Sequence, residues 1–237
     1  MIHQLIFAHP KPGMSEQAFQ DYWLNVHAVK YASKIPQIRR YMVDTRLPCG
    51  PEPADPLWSG VAEIWLENEE EQLASLQSPE FLEGARLDEP RWAAFWRTIG
   101  LDTTTHEILP GPPHERETSL VKLIILVKRK PGIALADFRQ YALERHAPRV
   151  IGLNGLRRYY QCHVRDGSYV IGEALLDAAF MLWFDDLAAV ERVLESPAYR
   201  ELVLDDMANF VDPRYIHTMA VKEHWVVGPE FRGADNG

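Results

Sequence analysis

The sequence predicts an α+β protein made of two like halves, each with the element order βαββαβ. A long internal repeat, a strand–helix alternation recurring in each copy, and turn residues at matching places all point this way. Lys11-Pro12-Gly13, Phe19, Tyr22 and His27-Ala28 return as Lys130-Pro131-Gly132, Phe138, Tyr141 and His146-Ala147, each moved by 119 positions. Ile38-Arg39-Arg40-Tyr41 returns as Leu156-Arg157-Arg158-Tyr159, Trp65 as Trp183, Ser78-Pro79 as Ser196-Pro197 and His106 as His224, all moved by 118. One residue was therefore gained or lost between His27 and Ile38. Two long copies mean two homologous domains, not a stacked array of short repeats.

Each half opens with an apolar strand, at 2–8 and 120–127, ended by Pro12-Gly13 and Pro131-Gly132. The first helix is expected from the capping residue Ser15 to about 33, and from about 134 to 150 in the second half. Phe19, Tyr22, Trp23 and Val26 take the i, i+3, i+4, i+7 spacing of one buried face, which His27 continues. Phe138, Tyr141 and His146 repeat it, with Ala142 for Trp23 and Arg145 for Val26. Strand two is expected at 38–44 and 156–164, and strand three at 60–66 and 178–184. The second helix comes in two pieces, since Ser78-Pro79 and Ser196-Pro197 can each cap and open a new helix. Strand four ends each half at 103–109 and 218–227. Pro110-Gly111-Pro112-Pro113 continues neither strand nor helix. The expected division is a domain at 1–110, a linker at 111–118, a second domain at 119–228 and a disordered tail at 229–237. The order βαββαβ builds a four-stranded antiparallel sheet with two helices on one face, the ferredoxin-like arrangement. The bare sheet face needs cover, and two units in one chain can cover each other.

At 237 residues the chain has room for two cores of ordinary domain size. A formal net charge of −9 argues against nucleic acid and anionic membrane as partners, since both are bound through clustered Lys and Arg. Cys49 and Cys162 are the only cysteines and occupy non-equivalent places, which excludes a disulfide scaffold or a thiolate zinc site. The start lacks the basic and long apolar regions of a signal peptide, and no apolar run approaches a membrane span, so a cytoplasmic protein is expected. P-loop, GxGxxG, GxSxG and HExxH patterns are absent. His217 and His224 point to opposite faces of one strand, and no metal site is assigned.

Lys-Pro-Gly, then Phe19-x-x-Tyr22-Trp23-x-x-x-His27-Ala28, then Ile38-Arg39-Arg40-Tyr41 resembles the EthD family of the dimeric α/β-barrel superfamily. Phe138-x-x-Tyr141, His146-Ala147-Pro148 and Leu156-Arg157-Arg158-Tyr159 resemble it equally in the second half. The resemblance implies a tandem member whose two ferredoxin-like units form an intramolecular dimeric α/β barrel, helices outside. It implies a pocket in each half between helices and sheet, faced by the histidine that ends the first helix. It also implies chemistry without metal or organic cofactor.

His27 and His146 are thus the candidate catalytic residues. A histidine on an apolar helix face is ordinarily a core residue, but recurrence in both halves raises the case for proton transfer. Tyr22, Trp23, Tyr41 and Trp65, with Tyr141, Tyr159 and Trp183, are the candidate substrate-binding residues; each would look the same as plain core. On strand two Arg39 shares a face with Tyr41, and Arg40 takes the other. An arginine in a pocket could hold a carboxylate or enolate, although sheet contact or surface is the plainer role.

The leading expectation is a cofactor-independent lyase, isomerase, cyclase or decarboxylase acting on a small aromatic, polyketide-like or lactone metabolite. The second is a cofactor-free oxygenase acting on a phenol. The third is a non-catalytic carrier of a hydrophobic metabolite. Pairing of the fused pseudo-dimer into a homodimer completes the expected partners.

Overall fold

The structure, a computed structural model, describes residues 1–51, 53 and 55–233. The first half runs β1 (Ile2–Ala8), α1 (Glu16–Tyr22), β2 (Arg40–Leu47), β3 (Gly60–Leu66), α2 (Glu69–Gln77), α3 (Arg86–Asp88) and β4 (Ile99–Leu109). The second runs β5 (Val121–Arg129), α4 (Leu135–Tyr141), α5 (Ala147–Val150), β6 (Arg158–Val164), β7 (Ala178–Phe184), α6 (Leu187–Leu194), α7 (Pro197–Tyr199), α8 (Asp205–Met207) and β8 (Val211–Val227). Ser15 caps α1 by accepting from Ala18 N at 3.2 Å, and Ser196 caps α7 with Pro197 in its first turn. After α1 and α4 the helix widens into π-helical turns, Trp23–Ala28 and Ala142–His146, which carry the two repeated histidines.

The strands form one closed antiparallel barrel in the order β1-β3-β2-β8-β5-β7-β6-β4. Each half contributes a four-stranded ferredoxin-like sheet, and the seams β2·β8 and β4·β6 join them. Both seams carry a bulge, between Tyr41 and Met42 and between Glu107 and Leu109. Strand three lies where the sequence puts it in both halves. Strands two and four differ at their ends: β2 opens at Arg40, β4 opens four residues early, and β8 reaches back to Val211 because its pairing with β5 continues past a bulge to Arg129.

Strand alternation divides the side chains between two environments. Outer faces pack under the helices: Phe19, Trp23, Tyr41 and Trp92 in the first half, Phe138, Tyr159, Phe180 and Phe210 in the second. Inner faces fill the lumen, where Leu5, Phe7, Val61, Leu126 and Val221 form an apolar floor shared by both halves. A lysine interrupts this interior. Lys122, fully buried on β5, meets Asp44 Oδ2 at 2.8 Å, Glu223 Oε1 at 2.8 Å and Glu63 Oε1.

The segment after β8 is not the expected loose tail as far as it is described. Arg232 pairs through its backbone with Arg39 O at 2.8 Å, and its guanidinium reaches Ile35 O and Ser33 O. Residues 234–237 lie outside the described residues. No helix among the described residues is long and apolar enough to cross a membrane.

Replacing Lys122 by Met strands three buried carboxylates without their counter-charge, so Lys122→Met should lower stability by about 3–5 kcal/mol. Urea unfolding followed by tryptophan fluorescence measures this, and an unchanged midpoint would show that the cluster contributes nothing.

Candidate active site at the mouth of the barrel

The structure separates the sequence-predicted site residues onto two sides of the sheet. His27 and His146 lie in the outer layer, 7% and 0% exposed. His27 Nδ1 is 3.0 Å from Asp88 Oδ2, whose Oδ1 accepts from Tyr22 Oη at 2.8 Å. His146 Nδ1 is 2.8 Å from Asp206 Oδ2, whose Oδ1 accepts from Tyr141 Oη at 3.2 Å. Each Tyr–Asp–His chain ties the first helix of its half to the second. Burial pulls both histidines below the ordinary imidazole pKa, and the aspartates oppose it only in part. Neither histidine lines the cavity at the barrel mouth described below. Asp88 and Asp206 differ by 118 positions, so the repeat itself points to them.

Tyr41 and Tyr159 face the same outer layer. Trp23 Nε1 donates to Tyr41 Oη at 3.1 Å, and Gln161 Nε2 donates to Tyr159 Oη at 2.7 Å. Burial pushes both phenols up. The expected pocket between helices and sheet is here occupied by this packing around His27, Trp23 and Trp92. Trp65 and Trp183 lie on the opposite face, in the lumen, so the seven predicted binding residues do not form one site.

The lumen residues converge on a cavity of about 450 Å³ at one end of the barrel, within the usual size of a ligand pocket. Its walls are Trp65, Trp183, Trp225, Tyr160, Phe231 and Met42. Trp65 and Trp225 stack with centroids 5.7 Å apart, and Tyr160 meets Trp183 edge-on at 5.0 Å. His3 lies against Trp65 at 4.2 Å. Its Nε2 is 2.7 Å from Glu63 Oε2, and its Nδ1 is 2.8 Å from Thr105 Oγ1. Burial disfavours the imidazolium, but Cys162 and Glu63 beside it more than offset this and raise the His3 pKa to about 9. Burial works against Glu63's charge as well, yet Lys122 and His3 hold its carboxyl well down. Asp44 is pushed well up by burial, with Lys122 opposing and Glu63 adding to the rise. Oxygens of Asp44, Glu63 and Glu223 lie within 4.8 Å of one another, a set suited to a hard cation. Lys122 Nζ stands at their centre, one contact to each, and Trp183 Nε1 donates to Glu223 at 2.9 Å.

The interdomain linker crosses half of this mouth. Gly111, at φ 69°, lets the chain press against Arg157 O where a Cβ would collide. The linker then offers Pro110 O, 2.9 Å from Arg158 Nε, with Pro112 O and His114 Nδ1 to the same guanidinium. Burial lowers the His114 pKa to about 4, with Arg158 adding to the effect.

The repeat exposes how the lumen diverged. In paired registers His3 stands opposite Trp65 as Lys122 stands opposite Trp183, so the two are equivalent. By the same 118-residue offset Asp44 corresponds to Cys162, Glu63 to Met181 and Thr105 to Glu223. Sequence reasoning missed these residues because it filtered for identity between halves. The available signal was a charge inside an apolar strand: Lys122 within the Leu/Ile/Val run, Glu63 between Ala62 and Ile64, and Asp44 after Tyr41-Met42-Val43.

Comparison with known proteins accords with this architecture. The EthD domain profile matches residues 11–95 and again 130–214. The decarboxylase claH of Passalora fulva is 25% identical over 125 residues, 47% of this chain and 81% of that protein. The dehydratase ustZ of Ustilaginoidea virens is 29% identical over 108 residues, 40% of this chain and 77% of that protein. Among solved structures, an anthrone oxidase-like protein superposes with a TM-score of 0.62 at 11% identity, covering 95% of this chain and 92% of that one. A candidate monooxygenase from Fusobacterium nucleatum superposes with a TM-score of 0.59 at 8% identity, covering 98% and 97%. At such identities these likenesses concern the fold. With two profile matches covering most of its length, the chain belongs to the EthD family and carries two EthD domains in tandem.

Proposed function

We propose that this protein is a cofactor-independent acid–base enzyme of the lyase type, acting on a small aromatic or polyketide-like metabolite seated in the barrel mouth. One observation carries the reading: a buried His3 imidazole, held between Glu63 and Thr105, under a cavity walled by three tryptophans. The distant relatives named decarboxylase and dehydratase support it, since both reactions need a delivered proton. In a decarboxylation the C–C bond breaks, its electron pair stays on the substrate carbon, and a proton replaces the lost CO₂. In a dehydration the proton leaves with the departing hydroxyl as water, while the neighbouring C–H bond breaks to form the double bond and its proton returns to the base left by the acid.

His3 supplies that proton. Its Nδ1–H donates to Thr105 Oγ1, and the Thr105 hydroxyl, which borders the cavity, can pass its own proton to substrate as it accepts from His3. Glu63 keeps the ring charged and oriented, and the tryptophan walls exclude water. Positioned acid catalysis of this kind contributes about 10²–10⁴-fold. On this reading the His27 and His146 chains serve to join helices, not to move protons.

His3→Gln should lower turnover at least about 100-fold while leaving substrate affinity within a few-fold. His146→Ala should lower stability and keep the turnover of its folded fraction. Full activity in His3→Gln together with loss in His146→Ala would return the chemistry to the outer layer. The acid must be protonated, so kcat should hold below the raised His3 pKa and fall as pH rises through about 9. The same shift stabilises the fold fully below the ordinary histidine pKa of about 6.5 and is lost through about 9, so the two alkaline transitions should coincide. Incubation with aromatic and polyketide-like hydroxy acids should release CO₂ or water without oxygen uptake. Substrate-dependent oxygen consumption would instead mark an oxygenase.

A further inference from the structure

We propose that the barrel-mouth cavity selects an aromatic carboxylate, held by the Arg40 guanidinium and the Trp225 indole N–H. The proposal rests on the mouth being the substrate site and adds the ligand's charge and the residues that read it. Arg40 and Arg158 are repeat-equivalent residues at the two sides of the mouth, and the molecule treats them differently. Arg158 is 2% exposed and fully engaged: Pro110 O, Pro112 O and His114 Nδ1 accept from it, and its plane lies over Tyr160 and Trp183. Arg40 has only the stacking half of that environment. Its guanidinium lies 3.5 Å from the Phe231 ring centroid, and its Nε is buried with no acceptor among the described residues. Among the described residues no carbonyl serves Arg40 as the linker carbonyls serve Arg158, and Arg40 lines the cavity.

A second unpartnered donor stands in the same wall. Trp183 Nε1 has Glu223 as acceptor, whereas Trp225 Nε1, on a side chain 8% exposed that lines the cavity, is buried and unpartnered among the described residues. Leaving buried donors unsatisfied is costly, and two in one cavity define what fits there: an acceptor group with more than one oxygen. Glu107 and Glu230 lie near enough to favour the Arg40 charge, yet neither forms an ion pair with it. A carboxylate supplies acceptor oxygens and a charge in direct contact with the guanidinium, and the planar fork of arginine matches its geometry. The aromatic walls then take the ring.

The test is binding of 2-naphthoate and 2-naphthol to the full-length chain, followed by quenching of tryptophan fluorescence and by calorimetry. Naphthoate should bind at least about tenfold more tightly than naphthol. Arg40→Gln should remove that preference by weakening naphthoate about 10–100-fold with naphthol unchanged, the range for a lost charge-assisted hydrogen bond. Arg40→Lys should recover part of it. Trp225→Phe, which keeps the wall and removes the N–H, should weaken naphthoate by a smaller factor. Equal affinity for the two probes, no binding of either, or an intact preference in Arg40→Gln would overturn the proposal. Binding needs no turnover: Arg40-dependent selectivity in a protein that neither releases CO₂ nor water would refute the lyase reading and leave this one standing. Turnover of neutral substrates, indifferent to Arg40→Gln, would do the reverse.

Discussion

The Lys122 ammonium, dry and ringed by Asp44, Glu63 and Glu223, is the interaction on which the rest of the barrel is arranged. It joins β5 and β8 of the second half to β2 and β3 of the first, across the line where two similar sheets meet. A lumen filled with apolar side chains alone would hold the halves together as well, or better. What the ions add is a polar layer above an apolar floor, and with it a place where the His3 ring can remain charged out of water. Glu63 belongs to both systems, touching Lys122 with one oxygen and His3 with the other. The proposed acid is therefore anchored to the same cluster that binds the halves.

Duplication explains why such a lumen could arise. Two separate identical chains would place the same residues on both sides of the barrel axis. Fusion freed the copies to diverge, and the interior is where they did: His3 against Lys122, Thr105 against Glu223, Cys162 against Asp44. In the outer layers each half retains its Tyr–Asp–His chain. The linker adds a further asymmetry by satisfying Arg158, whereas Arg40 stacks on Phe231 in the cavity wall.

The fold was largely legible because hydrophobic periodicity and turn residues are local signals, and the repeat allowed each half to check the other. Strand three and the helix carrying His146 fall where their patterns put them. Strand ends were less legible, since β8 is lengthened to Val211 by pairing with Arg129, far earlier in sequence and beyond any local pattern. The site was legible only in part. Trp65 and Trp183 do line the cavity, but His27, Tyr41 and their equivalents lie across the sheet from them. Repetition marks what both copies need to stand up, which favours helix-joining residues, whereas the unique residues of the lumen are filtered out by the same rule.

By itself the sequence determined the duplication, the βαββαβ order of each half and the set of side chains on each strand face, because these follow from spacing along one chain. Which face became the inside, which charges met there and which arginine kept an unfilled coordination were decided by closure of the barrel. Closure brings residues such as Lys122 and Asp44, 78 positions apart, to 2.8 Å. In that dry interior a charge is stable only when its partners arrive from other strands, so its meaning is a property of the assembled barrel and not of its neighbours in sequence.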